Sequence, residues 1–433
     1  MKAQSLSEEY LDKVVSGDVT ASEHLADCFK VMDRTEPDVK AWCLRDNEAA
    51  KVQAEHLDKE MTMGKGPRGA LHGLNVGVKD IIDTADMLTE LGSRSCIGRQ
   101  PKSDAHLVSQ LRAAGAILPG KTATTEFAYM DRTDTRNPRN LAHSPGGSSS
   151  GSAAAIAAGQ ISLAIGTQTG GSVIRPASYC GIYGMKPSFG TISRNGVLQT
   201  AQTLDQVGLF ANSLKGIGRL CDVIVSGTEQ MMDAACNAAD SVRLLRFEGL
   251  YGDIVDDGVN AALDIFVMEL GDAVKTRPAP VSIAPYLAAH KTVYEVELAQ
   301  NLGPVCEEKS ALIGPAVNAS VATGMTHHQD AYDAALGMRV RAIAELSSYF
   351  RAYDILITPA ATSEAPLFED GTGNPTCNAL WSFLGFPCLT LPLLTGPKGL
   401  PIGVQLIGAM GTDIKVLQSA RWLLETYPIN GVT

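Results

Sequence analysis

The sequence predicts an α/β fold, and three observations carry that expectation. Apolar residues alternate in Leu74-Asn-Val76-Gly-Val78 as in a strand, and Ala105 to Ala114 follows with a helical pattern. Ile161-Ser-Leu-Ala-Ile165 is an apolar run of strand length, preceded by the helix-forming Ala153-Ala-Ala-Ile-Ala-Ala158. Towards the C-terminus, Cys388-Leu-Thr-Leu-Pro392 and Ile402-Gly-Val-Gln-Leu-Ile407 read as strands, with a final helix over 413–425. Strands that alternate with helices imply a sheet with helices packed against it.

The remaining elements fit around that frame. Before residue 65 the chain reads as helices: Leu6, Tyr10, Leu11 and Val14 recur at helical spacing, and Thr20-Ala-Ser-Glu23 has the form of a capping box. Ala116-Ile117-Leu118 is expected as a short strand. Residues 215–350 are richer in charge and helical periodicity and carry few sharp motifs. A buried strand returns at Tyr353-Asp-Ile-Leu-Ile-Thr-Pro359, and Ala360 to Pro375 is polar and loop-like. No internal repeat or linker divides the chain, so one domain over 1–433 is expected, in three stretches: N-terminal helices (1–65), a motif-bearing core (66–212), and a helical section with the last strands (213–433).

Composition excludes several functional classes. With 45% hydrophobic and 19% charged residues the chain is an ordinary globular sequence without disordered bias. A net charge of −11, with lysines and arginines scattered, supplies no phosphate-neutralising patch for nucleic acid. The nine cysteines are odd in number and contain no C-x-x-C pair, which fits reduced thiols in a cytoplasm. Met1 to Glu9 turns acidic early, unlike a secretory signal, and no apolar run approaches the roughly 18 residues of a membrane span. His327-His328 makes a poor metal site: adjacent helical residues point about 100° apart and no third ligand is suitably spaced.

Two glycine-serine stretches carry the chemistry. They are Pro145-Gly-Gly-Ser148-Ser149-Ser150-Gly-Ser152 and Gly166-Thr167-Gln168-Thr169-Gly170-Gly171-Ser172-Val-Ile-Arg175-Pro176. Such composition suits a flexible linker, but here one stretch runs into a helix former and the other follows an apolar strand. A serine nucleophile needs a base, and its tetrahedral intermediate needs N–H donors aimed at one oxygen. Glycines permit positive φ and close approach, so the backbone of Thr169, Gly170, Gly171 and Ser172 is the expected oxyanion hole, with Ser172 as nucleophile.

Other patterns fail on context. Gly115-Ala-Ile-Leu-Pro-Gly120-Lys121-Thr122 satisfies G-x-x-x-x-G-K-T, yet a helix precedes it and its variable positions are apolar, which leaves Lys121 structural or at the rim of the site. Gly147-Ser-Ser149-Ser-Gly151 matches G-x-S-x-G, but a polar, proline-broken loop stands where a buried strand should. His143 is close enough in sequence to be weighed as a base, although a loop histidine is more often a polar contact. Lys79 ends the Val76-Gly-Val78 strand, where burial would lower its pKa from about 10.4 and make it a usable base. Taken alone, it is equally a strand-end lysine paired with Asp80 or Asp83.

Lys79, the P-G-G-S-S-S-G-S stretch and, 24 positions beyond Ser148, the G-T-Q-T-G-G-S stretch together resemble the amidase signature family, with further similarity at Asp205-Gln-Val-Gly208 and Gly399 to Ile407. The resemblance implies a central mixed sheet covered by helices on both faces and a Ser/Ser/Lys triad. In that triad Ser172 attacks an amide carbonyl, Ser148, after a cis peptide bond, relays its proton, and neutral Lys79 is the final base. It implies an acyl-enzyme and no metal or organic cofactor. Gln168 and Arg175 make the second stretch most similar to members that hydrolyse malonamate, in which this arginine contacts the substrate carboxylate, whereas many members have Asp at the Gln168 position. Arg175 is thus a substrate-binding candidate, along with Thr167, Tyr129 and Tyr294; Tyr294 stands where those members have glutamine. Bracing of the loop is an equal alternative for Arg175. The expected partner is a small amide. The alternatives are a urea or carbamoyl compound, and a role as the ammonia-supplying component of an amidotransferase; a homodimer is left open.

Overall fold

The computed structural model describes residues 6–227, 230–280 and 282–427 of the 433, so the reading of the first five residues lies outside them. The chain opens with α1 (Glu8–Ser16) and α2 (Ala21–Val39), and the Thr20/Glu23 capping box forms. Next come β1 (Trp42–Arg45), α3 (Asn47–Thr62), β2 (Val76–Lys79), α4 (His106–Ala113), β3 (Gly120–Thr122), α5 (Ser150–Ala157), β4 (Leu163–Gln168), α6 (Ile174–Cys180), β5 (Tyr183–Lys186) and β6 (Gln206–Ala211). The middle of the chain supplies α7 (Leu214–Ile224), α8 (Met231–Cys236), β7 (Leu244–Glu248), α9 (Asp257–Leu270), β8 (Val274–Pro278), α10 (Ala284–Lys309), α11 (Pro315–Gly324) and α12 (Gln329–Ser347). The last elements are β9 (Ile355–Pro359), α13 (Thr376–Leu384), β10 (Cys388–Thr395), β11 (Pro401–Ile407) and α14 (Asp413–Thr426).

All eleven strands join one mixed sheet in the order β1-β3-β2-β4-β6-β5-β10-β11-β9-β7-β8. β2 runs parallel to both β3 and β4, while β4 to β6 and β5 to β10 are antiparallel. The central strands are buried along their whole length, as strands covered on both faces must be. Side-chain alternation separates the two faces. Ala164 and Phe210 pack with Ala153 and Ile156 of α5 and Met32 of α2, whereas Leu163, Ile165 and Leu209 pack with Leu214 and Ile217 of α7. Helices therefore cover both faces, and no helix among the described residues is long and apolar enough to cross a membrane.

Five strands and one register differ from the sequence expectation. β1, β5, β6, β7 and β8 were not anticipated; β7 and β8 carry charged residues at one end of the sheet, and four of the five β8 residues are exposed. Ala116-Ile117-Leu118 forms only a single bridge, Ile117 to Asn75. The strand itself begins after Pro119, which has no N–H to give a ladder.

Candidate active site

Register on the sheet puts Lys79 in place. Val78 pairs with Lys121 and Lys79 with Thr122, so Lys79 and Lys121 project to opposite faces. Lys79 is fully buried, and its Nζ donates to Ser148 Oγ at 2.8 Å and to Thr167 Oγ1 at 2.9 Å. The alternative partners are engaged elsewhere: Asp80 lies 3.8 Å from Lys121 Nζ and accepts from the Glu90 N–H, and Asp83 pairs with Arg99 at 2.7 Å. Burial drives the Lys79 ammonium well below the ordinary lysine range, opposed in part by the negative charge of Asp205.

The first glycine-serine stretch is anchored at nearly every residue. The Gly147–Ser148 peptide is cis. Ser150 Oγ donates to Gly146 O (2.7 Å), Ser149 Oγ to Thr167 O (3.2 Å), and Ser152 Oγ to Ile165 O (3.0 Å). Gly146 has φ +83°, and a Cβ there would lie 3.0 Å from Pro176 and the Tyr179 ring, so this position requires glycine. Ser149 is buried against β4, in agreement with its rejection as an elbow nucleophile.

The second stretch turns from β4 into α6 and carries Ser172. Gln168 Oε1 accepts from the N–H groups of Val173 (2.9 Å) and Ile174 (3.0 Å), so its side chain caps the following helix. Its Nε2 donates to Ser382 Oγ, which donates in turn to Gly170 O at 2.6 Å. Gly171 is needed for space rather than for positive φ: a Cβ would come within 2.6 Å of Asn378 Oδ1. Among the described residues, the N–H groups of Gly170, Gly171 and Ser172 donate to no protein acceptor, which leaves them free for an oxyanion. No hydrogen bond joins the Ser148 and Ser172 hydroxyls among the described residues; catalytic hydrogen bonds commonly tighten only in the reactant complex.

Ser172 opens on a cavity of about 300 Å³ whose walls include Arg175, Tyr129, Tyr294, His290 and Leu287. The rings of Tyr129 and Tyr294 lie 5.7 Å apart. His290 donates through Nε2 to Thr169 O (3.2 Å), and burial lowers its pKa to about 4, so the ring is neutral near pH 7. Sequence reading missed His290, although it stands four residues before Tyr294 on α10 and hence on the same helix face.

One substrate candidate, Thr167, sits differently from expectation, and Arg175 takes up the bracing contacts weighed for it. Thr167 does not line this cavity; its hydroxyl faces Lys79 behind it. Arg175, 5% exposed, donates to Gly373 O (2.6 Å) and to Gly147 O (2.8 Å), so it braces both loops while still reaching the cavity wall. His143 bonds Ala365 O at 2.7 Å and contacts neither serine by a hydrogen bond among the described residues. His327 binds Glu295 at 3.0 Å, and among the described residues no cluster could hold a metal ion. Lys121 is fully buried with Nζ on Ile82 O and Thr89 Oγ1, both at 2.6 Å, and offers nothing to a phosphate.

Comparison with known proteins agrees with this architecture. A family model described as Amidase matches residues 23–247 and 288–417. A glutamyl-tRNA(Gln) amidotransferase subunit from Symbiobacterium thermophilum is 31% identical over 94% of this chain and 93% of its own length. A solved chain from a vestigial protein complex, described as revealing the evolutionary origins of an s-triazine catabolic enzyme, has a TM-score of 0.90 at 27% identity, covering 99% of this chain and 100% of its own. The crystal structure of an amidase matches with a TM-score of 0.87 at 27% identity, covering 97% and 99%. Fold and relatives define a hydrolase of amide C–N bonds. The chain belongs to the amidase family.

Proposed function

We propose that the protein hydrolyses a small carboxamide that carries a carboxylate, by way of an acyl-enzyme on Ser172. The observation that carries this reading is the environment of Lys79: a buried amine whose side-chain partners are two hydroxyls, one of them Ser148. Burial favours the neutral form of such an amine, which can accept a proton. Ser172 Oγ forms a bond to the amide carbon while its proton passes through Ser148 to Lys79. The carbonyl oxygen, now negative, is met by the N–H groups of the Thr169–Ser172 turn. Collapse breaks the C–N bond, the nitrogen takes the relayed proton and leaves as ammonia or an amine, and water then cleaves the ester by the same route.

Arg175 supports the carboxylate. Among the described residues no acid lies within ion-pair distance of its guanidinium, and burial lowers its pKa. A buried charge without a counter-ion is costly, and a substrate carboxylate would supply one. Ammonia release from a panel containing malonamate, malonamide and propionamide tests the proposal. Ser172→Ala should lose at least about 10³-fold in kcat, and retained turnover would sink the nucleophile assignment. Folded Arg175→Ala that hydrolyses malonamate as well as wild type would leave Arg175 with bracing alone.

A second reading, the ammonia-supplying component of an amidotransferase, is favoured by the match to the Symbiobacterium protein. The chain aligns with 93% of that relative, so length does not separate the two roles. Co-purification with a tRNA-binding partner would favour this second reading.

A further inference from the structure

Asp205 lies outside the triad and off the substrate wall, yet it is held more tightly than most carboxylates in the chain. Its Oδ1 accepts from Thr169 Oγ1 (2.6 Å) and Thr200 Oγ1 (2.9 Å), and its Oδ2 from the N–H groups of Thr200 (2.7 Å) and Ala201 (2.8 Å). Thr169 begins the turn that ends in Ser172. Thr167 and Thr169 are two residues apart where the chain leaves β4, so alternate positions divide the work: Thr167 holds Lys79 and Thr169 holds Asp205.

We propose that Asp205 is a positioning residue for amide cleavage, fixing the start of the oxyanion turn through Thr169 and, when ionised, presenting a negative charge to Lys79. The inference rests on the reading of Ser172 as nucleophile. The space bordered by Asp205, Thr167, Thr169 and Ile81 is a void of about 10 Å³, at the lower limit for a single water, so both threonines pack closely about the carboxylate. Charged or titratable neighbours of Asp205 are few: Arg194, whose guanidinium binds the Asp205 main-chain carbonyl at 3.1 Å, the Tyr294 phenol, and Lys79 itself. Lys79 meets only the neutral Ser148 and Thr167 hydroxyls besides, because Asp80 is turned towards Lys121. When ionised, Asp205 favours the Lys79 ammonium, while burial raises the pKa of Asp205 itself.

The test is the rate at which a fluorophosphonate probe labels Ser172 as a function of pH. Asp205→Asn removes the charge and keeps the shape. Its limiting rate should fall at least about tenfold, since misplacement of reacting groups by about 1 Å costs on the order of 100-fold, with half-saturation changed by less than about twofold. Its acidic limb should also move to lower pH, because loss of the negative charge disfavours the Lys79 ammonium. Thr169→Val cuts the tether and keeps the charge, so it should slow labelling without moving the limb, and Thr169→Ser should restore the rate. Folded Asp205→Asn with the wild-type rate and limb overturns the inference. If Asp205→Asn does not fold, Thr169→Val decides, and a wild-type rate there overturns it equally. Wild-type protein that is not labelled at Ser172 overturns the nucleophile reading and this one with it, whereas labelled wild type with unaffected variants overturns this one alone.

Discussion

Lys79 and Lys121 stand on neighbouring parallel strands, both fully buried, and do opposite things. Lys121, on one face of the sheet, donates to a carbonyl and a threonine hydroxyl and has Asp80 at 3.8 Å. Burial lowers its pKa to about 8 and raises that of Asp80 to about 6, so near pH 7 the two remain a charged pair. Lys79, on the other face, has two hydroxyls and no carboxylate in contact, and its ammonium is driven down much further. A single step in register decides which lysine meets an acid and which meets a serine. The first is ballast for the fold, and the second is free to exchange a proton.

That contrast can be broken most sharply by truncating each lysine in turn. Lys79→Ala should keep its fold and lose at least about 10³-fold in the rate of Ser172 labelling, as removal of a member of a nucleophile-base unit does. In wild type, labelling should fall as pH drops through the Lys79 pKa, because protonation removes the base, and should persist to lower pH than an ordinary lysine would allow because that pKa is depressed. Lys121→Met should show the reverse pattern. It leaves Asp80 buried without its cation, a loss of about 3–5 kcal/mol by urea unfolding, while the folded fraction labels with an unchanged acidic limb. Near-normal stability for Lys121→Met would remove the distinction between the two sites. Thr167→Val should have the smallest effect, about five- to tenfold in labelling rate, the equivalent of one hydrogen bond of about 1 to 1.4 kcal/mol.

The same contrast explains which parts of the site could be read in advance. Lys79, Ser148 and Ser172 lie in short runs whose composition is dictated by local backbone needs, such as the positive φ of Gly146 and the crowding of Gly171 by Asn378. Those needs are written in adjacent letters. Thr167 could not have been assigned to Lys79 from strand alternation, since the pairing of Val78 with Ile165 aligns Lys79 with Gly166, and it is the long lysine side chain at the strand end that reaches the threonine hydroxyl. His290 and Ser382 reach the turn from distant segments, and nothing local to either marks that contact. Asp205 lay inside a recognised stretch, but its partner Thr169 is 36 residues away and only the fold joins them. Among the strands missed in the sequence, β7 and β8 have charged residues that mask an apolar alternation.

The order of strands has a consequence for how this enzyme comes into being. β10 and β11 enter the sheet between β5 and β9, and the segment just before them supplies Asn378 and Ser382 to the back of the Ser172 turn. A ribosome therefore finishes Lys79, Ser148 and Ser172 while the residues that shape their surroundings are still unmade. Throughout most of its synthesis the nascent chain holds this lysine and these two serines without the packing around them, and only the arrival of its closing strands completes it.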